Sequence, residues 1–567
     1  MDFSTNLTRI DGFGFSEAFQ RATIMRGDYG LTPENQRKIL DLLFDTETGA
    51  GLSILRLGIG AAYPAPYDLQ LSIQPNDPGG PDAPPQYEWN GDDGGQVWLS
   101  KEAMKYGVNK FYANAWSAPA YMKSNKSFRN GGYLCGVPGI PASGNQCAGA
   151  DWRQAYANLL VQYVKFYQQE GIPITLLGFT NEPNLSVSYE SMRFTPAQAV
   201  DFIKVLGPTV RASGLPLEIA CCDAHNWTEQ RNFTNAIEAD PVARDFVDVH
   251  TGHQYGGLAR TPLPTSKATW MTEYYLGCSS RVNNNWIGGP TPACDGIRLA
   301  NDIHDTLTQG NVNAYVAWFG ADRWVDSLIQ MDFPGPDFQV AKRLWAMAAY
   351  SRFVRPDAYR APATLVGSPQ KISAFRNVDG KKVINIINNQ TTPAVVDFTV
   401  DPGTAVNPTP ITYLTDEMHS LDEVESLVQV NGDTLVVNLP PSSLTTIVLP
   451  PYTFSGFAAP IRARPAVNVA SAGEVIPVKY GLTDSLGGEI SDLNSFVSLQ
   501  TAPASCDGTQ AGELEPAEAP GATTIRYDST TNQFIFNWKT DKSWTGCRVL
   551  ELTLGDGTKH TAVFEFR

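Results

Sequence analysis

The sequence contains no run of 18 apolar residues, so no segment is suited to cross a membrane as a helix. It contains no CxxC motif and no histidine-rich cluster, and we therefore expect neither a metal ion nor a cofactor. Positive charge is also scarce, because 42 Lys and Arg residues face 58 Asp and Glu residues and leave a net charge of −16. This balance argues against nucleic acid or an anionic membrane surface as a partner.

The first residues do not show the charged and then apolar pattern that is typical of a signal peptide. The chain begins Met-Asp-Phe-Ser, so the protein is either cytosolic or a secreted protein whose signal peptide was replaced by a start Met. The cysteines favour the second interpretation, because six of the eight form plausible disulfide pairs, as in many secreted proteins. These pairs are Cys135/Cys147, Cys278/Cys294 and Cys506/Cys547. We predict a secreted, extracellular monomer, in which the adjacent Cys221 and Cys222 are buried thiols packed as small apolar residues.

From residue 10 to residue 355, strand-like apolar runs alternate with helix-like stretches, which predicts βαβ units around a parallel sheet. The eight predicted strands are 12–15, 52–57, 110–116, 174–180, 217–222, 246–250, 268–273 and 314–319. The clearest predicted helices are 33–43, 155–169, 196–206 and 338–353. Eight such repeats predict an α/β protein with a (β/α)8 TIM barrel, whose functional groups lie at the carboxyl ends of the strands.

Beyond the barrel the pattern changes to short alternating strands with turn signals. Residues 356–455 are predicted to form a β-sandwich side domain, to which residues 1–9 can add a strand. The small residues near Gly456-Phe-Ala-Ala-Pro predict a linker. Residues 461–567 are predicted to form a separate C-terminal all-β module.

Two glutamates lie at the ends of predicted barrel strands. Asn181-Glu182-Pro183 follows the fourth strand, and Glu273 ends the seventh. A retaining glycosidase needs two such carboxyl groups, one as proton donor and one as nucleophile, roughly 5–5.5 Å apart. We predict that Glu182 is the acid, with a pKa raised by burial and by the second carboxylate, and that Glu273 is the ionised nucleophile. Asn181 is predicted to bind the sugar hydroxyl beside the reacting carbon.

Three further residues are candidates for supporting this pair. Arg56 interrupts an apolar strand, and a charge in that position is rarely buried without a partner, so we expect it to contact Glu273. Tyr255 follows the sixth strand and is expected to hydrogen-bond the same carboxylate. His253 is a further candidate for the site. The alternatives are a structural ion pair for Arg56 and a satisfied core histidine for His253.

Trp116 and Trp318 end the third and eighth predicted strands. Sugar rings stack on indole through their C–H faces, so both residues are predicted to bind carbohydrate, although a core position is the alternative for each. The long loop after the second strand, rich in Pro, Gly and Asp around residues 78–85, is a candidate wall that closes one end of the cleft.

This set of residues resembles the retaining TIM-barrel glycosidases of glycoside hydrolase family 30. Within that family, residues 11–22, Gly131-Gly-Tyr-Leu-Cys135 and Cys221-Cys-Asp223 are similar to the fungal-type xylanase and glucuronoxylanase subfamily. The resemblance implies Glu182 as acid/base, Glu273 as nucleophile and xylan or glucuronoxylan as the polysaccharide substrate. It also implies that Arg21 holds the 4-O-methylglucuronosyl branch, the alternative being an ordinary loop salt bridge.

The resemblance covers residues 1 to about 453, and the segment 461–567 is not part of the usual family architecture. Endo cleavage and release of xylobiose from a chain end both remain open. Two other functions are alternatives: a β-1,6-galactanase or β-1,6-glucanase on the same scaffold, and a non-catalytic carbohydrate-binding protein. The presence of both carboxylates argues against the last of these.

Overall fold

The computed structural model describes residues 1–63, 68–278, 285–324, 326–403, 406, 410–483, 488–521, 524–555 and 558–567. Eight parallel strands form a closed barrel, in which the first strand pairs with both the second and the eighth. These strands are Gly12–Ser16, Ile54–Ile59, Lys110–Ala115, Ile174–Gly178, Glu218–Ala224, Val249–His253, Ala268–Glu273 and Ala314–Phe319. The predicted fold class, a TIM barrel accompanied by all-β regions, is confirmed.

Helices surround the barrel and cover its outer face. They are Ala22–Arg26, Pro33–Phe44, Gln96–Lys105, Arg153–Gln169, Pro196–Ser213, Trp227–Ala239, Pro241–Phe246, Gly296–Thr308 and Lys342–Ser351, with short 3-10 helices at Ala120–Met122 and Pro292–Cys294. Local sequence explains several starts. The Thr195 side chain accepts from the backbone of Gln198, whose side chain accepts in return from the backbone of Thr195, and this capping box begins the helix Pro196–Ser213.

Two predicted elements begin at least three residues too early. The sixth strand starts at Val249, because Asp240 caps a short helix, Pro241–Phe246, by accepting from two backbone N–H groups. The predicted helix 338–353 starts only at Lys342, because Phe338–Val340 is a strand that pairs with Ile329–Met331.

Strand alternation separates the barrel interior from the face under the helices. In the second strand Ile54 packs inside the barrel, whereas Leu55 and Leu57 pack under the helices. Arg56 is two residues after Ile54 and therefore points to the interior as well, one layer closer to the carboxyl end. The lower layer, which includes Tyr112 and Trp270, is apolar and supports the polar layer above it.

A β-sandwich packs beside the barrel. Its seven-stranded sheet has the order Arg9–Ile10, Ala358–Ala361, Lys371–Arg376, Lys382–Asn388, Ser443–Leu449, Ile411–Thr415, Ser420–Glu423. Its three-stranded sheet has the order Ala394–Thr399, Thr434–Leu439, Val428–Asn431. The N-terminal segment does contribute an edge strand, through the antiparallel pairing of Arg9 with Tyr359.

Two further sheets form the C-terminal region. The four-stranded sheet has the order Thr453–Phe457, Val475–Thr483, Gln533–Lys539, Arg526–Asp528. The five-stranded sheet has the order Val467–Ala470, Lys559–Phe566, Gly546–Leu554, Phe496–Pro503, Glu515–Pro516. The predicted linker near residue 456 is wrong, because Thr453–Phe457 pairs with Val475–Thr483. The preceding strand, Ser443–Leu449, ends just before Pro450-Pro451, since proline lacks the N–H that would continue it. The remaining domain limits stay predictions.

The three predicted disulfides, Cys135–Cys147, Cys278–Cys294 and Cys506–Cys547, are confirmed. The prediction of free thiols at Cys221 and Cys222 is wrong, because these residues are bonded to each other. Adjacent side chains of a regular strand point to opposite faces, but the fifth strand is irregular just after Cys222, and both cysteines pack on the outer face. Among the described residues, no helix is long and apolar enough to span a bilayer.

Candidate active site

A cavity of about 770 Å³ opens at the carboxyl end of the barrel. Seven of the nine predicted site residues line it: Arg21, Trp116, Asn181, Glu182, Tyr255, Glu273 and Trp318. The other two, Arg56 and His253, are fully buried directly beneath its floor, where they contact the glutamates. The topology thus gathers all nine residues at one end of the barrel.

The two glutamates face each other across this cavity. One carboxylate oxygen of Glu182 and one of Glu273 lie within 4.8 Å of each other. This spacing is close to the roughly 5–5.5 Å that double displacement requires and well short of the roughly 6.5–9.5 Å that leaves room for a water between the carboxyls. The arrangement can therefore accommodate one sugar carbon between an acid and a nucleophile.

Arg56 and Tyr255 orient the Glu273 carboxylate. Arg56 donates from Nη1 to Oε2 at 2.6 Å, and the Tyr255 hydroxyl donates to Oε1 at 3.1 Å. Arg56 also donates from Nη2 to the Asn181 side-chain oxygen at 2.6 Å. The Asn181 oxygen is thereby occupied, which leaves its NH₂ group as the donor available to a ligand.

Asp223 completes this network, and the sequence interpretation did not assign it a role. Its Oδ2 accepts from Arg56 at 2.7 Å, from the Tyr112 hydroxyl at 3.0 Å and from Asn114 at 2.8 Å. Regular alternation from Ala220, which faces the interior, would turn Asp223 outward. A bulge at Asp223, where φ is 50°, reverses the alternation and turns its side chain inward.

Glu182 has different donors. The Tyr189 hydroxyl donates to Oε2 at 2.5 Å, and His253 Nδ1 lies 3.3 Å from Oε1. The backbone of Glu182 has a φ of 48° and donates its N–H to the Asp223 carbonyl at 2.8 Å. A left-handed conformation in a non-glycine residue is unfavourable, so this contact helps to hold Glu182 in the position that faces the cavity.

The charges around the two glutamates explain how they titrate. Burial raises the pKa of Glu273, and Glu182 adds to the rise, although His253 and Arg56 oppose it. The pKa of Glu182 is lowered despite burial, because His253 and Tyr189 hydrogen-bond to it. The expectation of a raised pKa for Glu182 is therefore wrong, since it did not include these donors.

The two glutamates titrate as one unit. The side chains of Arg56 and His253 are cations. Burial alone would raise the pKa of Asp223, but these two cations lower it. Two cations and three carboxyl groups form a neutral buried cluster only when the glutamate pair carries one proton. The same spacing of Glu182, His253 and Glu273 would fit a metal ion, but the two cations already supply the positive charge there.

Replacing Asp223 by Asn should destabilise the barrel. The substitution keeps the shape but leaves the fully buried Arg56 with less negative charge, which typically costs about 3–5 kcal/mol. Asp245→Asn is the matched control, because Asp245 forms an ion pair of similar length, 2.8 Å, with Arg211 on the surface. We expect a large fall in the melting temperature for the first variant and little change for the second. Equal shifts would contradict the role of Asp223.

His253 should make stability depend on pH. Burial opposes charging of its ring, but Glu273, Asp223 and Glu182 raise the pKa of His253 to about 9. A folded-state pKa above the ordinary 6.5 means that the contribution is complete below about pH 6.5 and is lost as the pH rises through 9. The rise corresponds to about 3 kcal/mol.

The measurement is the melting temperature at pH 6 and pH 10. We expect it to fall further in the native protein than in His253→Asn. His250→Asn is the control, because burial lowers the pKa of His250 on the same strand to about 4 and that ring is neutral at both values. A His253→Asn variant with the full native pH dependence would refute this assignment.

The aromatic candidates differ in exposure. Trp116 is only 1% exposed, and one face of its ring lies under the Arg56 guanidinium at 4.5 Å. Trp318 is half-buried and lines the cavity next to Phe19. Trp318 therefore presents more of its ring to the cavity than Trp116, one face of which contacts Arg56, and a sugar-binding role stays a prediction for both residues. Trp324, 51% exposed, also lines the cavity and was not predicted.

Most of the site residues that the sequence did not reveal lie in loops rather than in barrel strands. Tyr189 and His225 line the cavity and lie beside Glu182, His225 at 4.0 Å. Neither follows a recognisable pattern, since each lies in a loop whose path is set by long-range contacts. Asp223, by contrast, was detectable, because it is an acidic residue at the carboxyl end of a predicted strand, as Glu182 and Glu273 are.

Comparison with known proteins places the chain in a family. A family model described as O-Glycosyl hydrolase family 30 matches residues 1–259. The catalytic domain of GH30 xylanase C from Talaromyces cellulolyticus is 37% identical, with a TM-score of 0.72, over 79% of this chain and 98% of that chain. Glucuronoxylanase XynC of Bacillus subtilis (strain 168) is 26% identical over 366 residues, 62% of this chain and 77% of the relative. Endo-1,6-beta-D-glucanase BGN16.3 of Trichoderma harzianum is 28% identical over 259 residues, 43% of this chain and 48% of the relative.

An eight-stranded α/β barrel with two carboxyl groups facing each other across an open cavity is the architecture of a glycoside hydrolase. The structure from Talaromyces cellulolyticus is 37% identical to this chain, which covers 98% of it, and this similarity narrows the class to one family. The chain belongs to glycoside hydrolase family 30, and the predicted family is confirmed.

Proposed function

We propose that this protein is a secreted, retaining xylanase that cleaves β-1,4-xylosidic bonds in xylan and glucuronoxylan. The observation that carries the proposal is the pair Glu182 and Glu273, whose oxygens lie within 4.8 Å at the carboxyl end of the barrel. Two relatives named as xylanases, from Talaromyces cellulolyticus and Bacillus subtilis, support the choice of xylan. Four disulfides support an extracellular location.

In the first step, the Glu182 hydroxyl protonates the glycosidic oxygen while a Glu273 oxygen attacks the anomeric carbon. The carbon–oxygen bond to the departing chain breaks, and a glycosyl ester forms on Glu273. The positive charge that develops on the sugar stabilises the ionised form of Glu273, which leaves the single proton of the pair to Glu182. Arg56 and Tyr255 hold the attacking carboxylate in position.

In the second step, Glu182 removes a proton from water, whose oxygen attacks the anomeric carbon and breaks the ester to Glu273. The configuration is retained because the carbon is inverted twice. His253 and Tyr189 hydrogen-bond to Glu182, and these contacts stabilise its ionised form, which the second step needs as base. The chain's own residues thus supply acid, base and nucleophile.

The test is to incubate the protein with glucuronoxylan, arabinoxylan and linear xylo-oligosaccharides, and to identify the products by mass and by the anomeric configuration of the first product. A ladder of fragments with retained configuration supports endo action, and xylobiose alone supports release from a chain end. Inverted configuration or no product from any xylan would overturn the proposal.

A β-1,6-glucanase is the second candidate, because the relative from Trichoderma harzianum is named as one. A linear β-1,6-glucan in the same assay distinguishes it, since a xylanase leaves that polymer intact. A β-1,6-galactan serves the same purpose for the galactanase alternative.

The role of the C-terminal region is a separate question, and we propose that it binds polysaccharide or spaces the enzyme from it. Removal of this region should lower activity on insoluble xylan more than on soluble xylan if it binds the polymer.

A further inference from the structure

A single carboxylate bridges two arginine side chains at the wall of the catalytic cavity. Asp68 accepts from Arg21 Nη2 at 2.6 Å through Oδ1 and from Arg323 Nη2 at 2.9 Å through Oδ2. Asp68 and Arg21 line the same cavity as Glu182 and Glu273. We propose that Arg21 and Arg323 form a carboxylate-binding site, called the seat below, and that Asp68 occupies it. Asp68 thereby determines how well the enzyme accepts substrates with an acidic side branch.

Arg21 is the rigid part of this seat. Its side chain is only 6% exposed, and its Nε lies 3.3 Å from Oδ2 of the fully buried Asp322. Its guanidinium also lies over the Phe319 ring at 5.5 Å. These contacts on the inner side hold the guanidinium in place, so one edge of it is presented to the cavity, where Asp68 meets it.

Arg323 is held in a similar way, whereas Asp68 is not. The Arg323 guanidinium lies over the rings of Trp324 and Phe333, at 4.8 and 5.0 Å from their centroids. The Asp68 side chain is 51% exposed. The anion is therefore the replaceable member of the group, and the two cations form the preorganised part of the site.

The backbone around Asp68 is anchored separately from its side chain. Glu190, fully buried, accepts from the backbone N–H of Ala61 at 3.1 Å and of Gln70 at 2.7 Å. Both sides of the segment that carries Asp68 are thus attached to one carboxylate. Loss of the Asp68 carboxylate changes the charge in the seat but leaves these anchors in place.

A uronate on a side branch has the same charge and the same planar, two-oxygen shape as the Asp68 carboxylate. Guanidinium groups bind such a carboxylate through paired N–H donors, and two carboxylates at one seat repel each other. A uronate must therefore displace Asp68 before it can pair with Arg21 and Arg323. An unbranched or neutral chain does not compete with Asp68, so the native enzyme should discriminate against the acidic branch relative to an enzyme without this carboxylate.

The inference rests on the proposed xylanase function, and Asp68→Asn tests it. Asparagine tolerates the left-handed backbone at this position, where φ is 68°, and replaces the anion by a neutral amide with one acceptor oxygen. We expect the ratio of kcat/KM on glucuronoxylan to kcat/KM on linear xylohexaose to rise about fivefold or more. We also expect free glucuronic acid to inhibit xylohexaose hydrolysis at a lower concentration in the variant. Asp245→Asn is the control, because Asp245 is an exposed aspartate that pairs with Arg211 and is absent from the cavity lining, and it should match the native enzyme.

Each outcome decides a different question. An unchanged or lower ratio in a folded Asp68→Asn protein overturns the inference, because Asp68 then only holds Arg21 in place. Asp68→Gly also suits a positive φ and replaces the first variant if that one does not fold. If the native protein cleaves no xylan, the proposed function fails, but calorimetric titration with glucuronic acid still tests the seat: tighter binding by the variant supports it, and equal binding overturns it.

Discussion

Glu273→Gln is expected to lower kcat on glucuronoxylan by a factor on the order of 10⁴ or more, which is the scale of removing a nucleophile from a catalytic unit. The amide cannot form the glycosyl ester, yet it has the shape of the carboxylate and retains an oxygen for Arg56, 2.6 Å away. The pKa of Glu273 is raised by burial, whereas Arg56 and His253 lower that of Asp223, so Glu273→Gln takes less negative charge from Arg56 than Asp223→Asn does, and the protein should remain folded. The measurement is the rate of reducing-end release, together with mass spectrometry of the intact protein for a covalently bound sugar.

The matched control is Glu218→Gln, because Glu218 begins the fifth barrel strand and so lies at the opposite end of the barrel from the cavity. This variant should cleave xylan at the native rate. Near-native activity in Glu273→Gln, with the circular dichroism spectrum unchanged, would remove Glu273 as the nucleophile and with it the double-displacement mechanism.

Glu182→Gln is expected to lower kcat on xylan by about 10²–10⁴-fold, the usual contribution of a general acid and base. The size of the loss should depend on the substrate, because a dinitrophenolate leaves without protonation. With dinitrophenyl β-xylobioside we expect a rapid burst of dinitrophenolate, equal to the enzyme concentration, followed by slow turnover. The burst reports the glycosyl ester on Glu273, and the slow phase reports the missing base in the second step.

The distinction between the two glutamates is the informative part of this experiment. Glu273→Gln should show no burst with the same substrate, since it has no nucleophile. A Glu182→Gln protein that loses activity equally on xylan and on the activated xylobioside would contradict the acid/base role. Tyr189→Phe offers a milder test, because it removes one hydrogen bond to Glu182 without removing the carboxyl group.

The fold could be predicted from sequence largely because its signals are local. Apolar periodicity located the eight strands, and the seventh and eighth match the structure at both ends. The contact of Arg56 with Glu273 followed from a physical argument, that a charge in an apolar strand needs an opposite charge nearby. The errors lie where local patterns compete, as at residues 246–250, where a capped helix replaces the beginning of a predicted strand.

The site was harder to predict than the barrel because it depends on irregular backbone. Alternation fails at the bulge of the fifth strand, and as a result both the inward turn of Asp223 and the bond between Cys221 and Cys222 were missed. The direction of the pKa change at Glu182 was also missed, because its donors Tyr189 and His253 come from other parts of the chain.

The amino-acid sequence by itself determined the barrel, the two strand-end glutamates and the arginine that must be paired, because each depends on neighbours only a few residues away. Only the tertiary structure decided how far apart the carboxyl groups lie, which groups share a proton and which anion occupies the Arg21 seat. Those properties arise from contacts such as Arg56 with Glu273 and Arg323 with Asp68, which join residues 217 and 255 positions apart. Electrostatic interaction depends on distance in space, and separation along the chain does not report it.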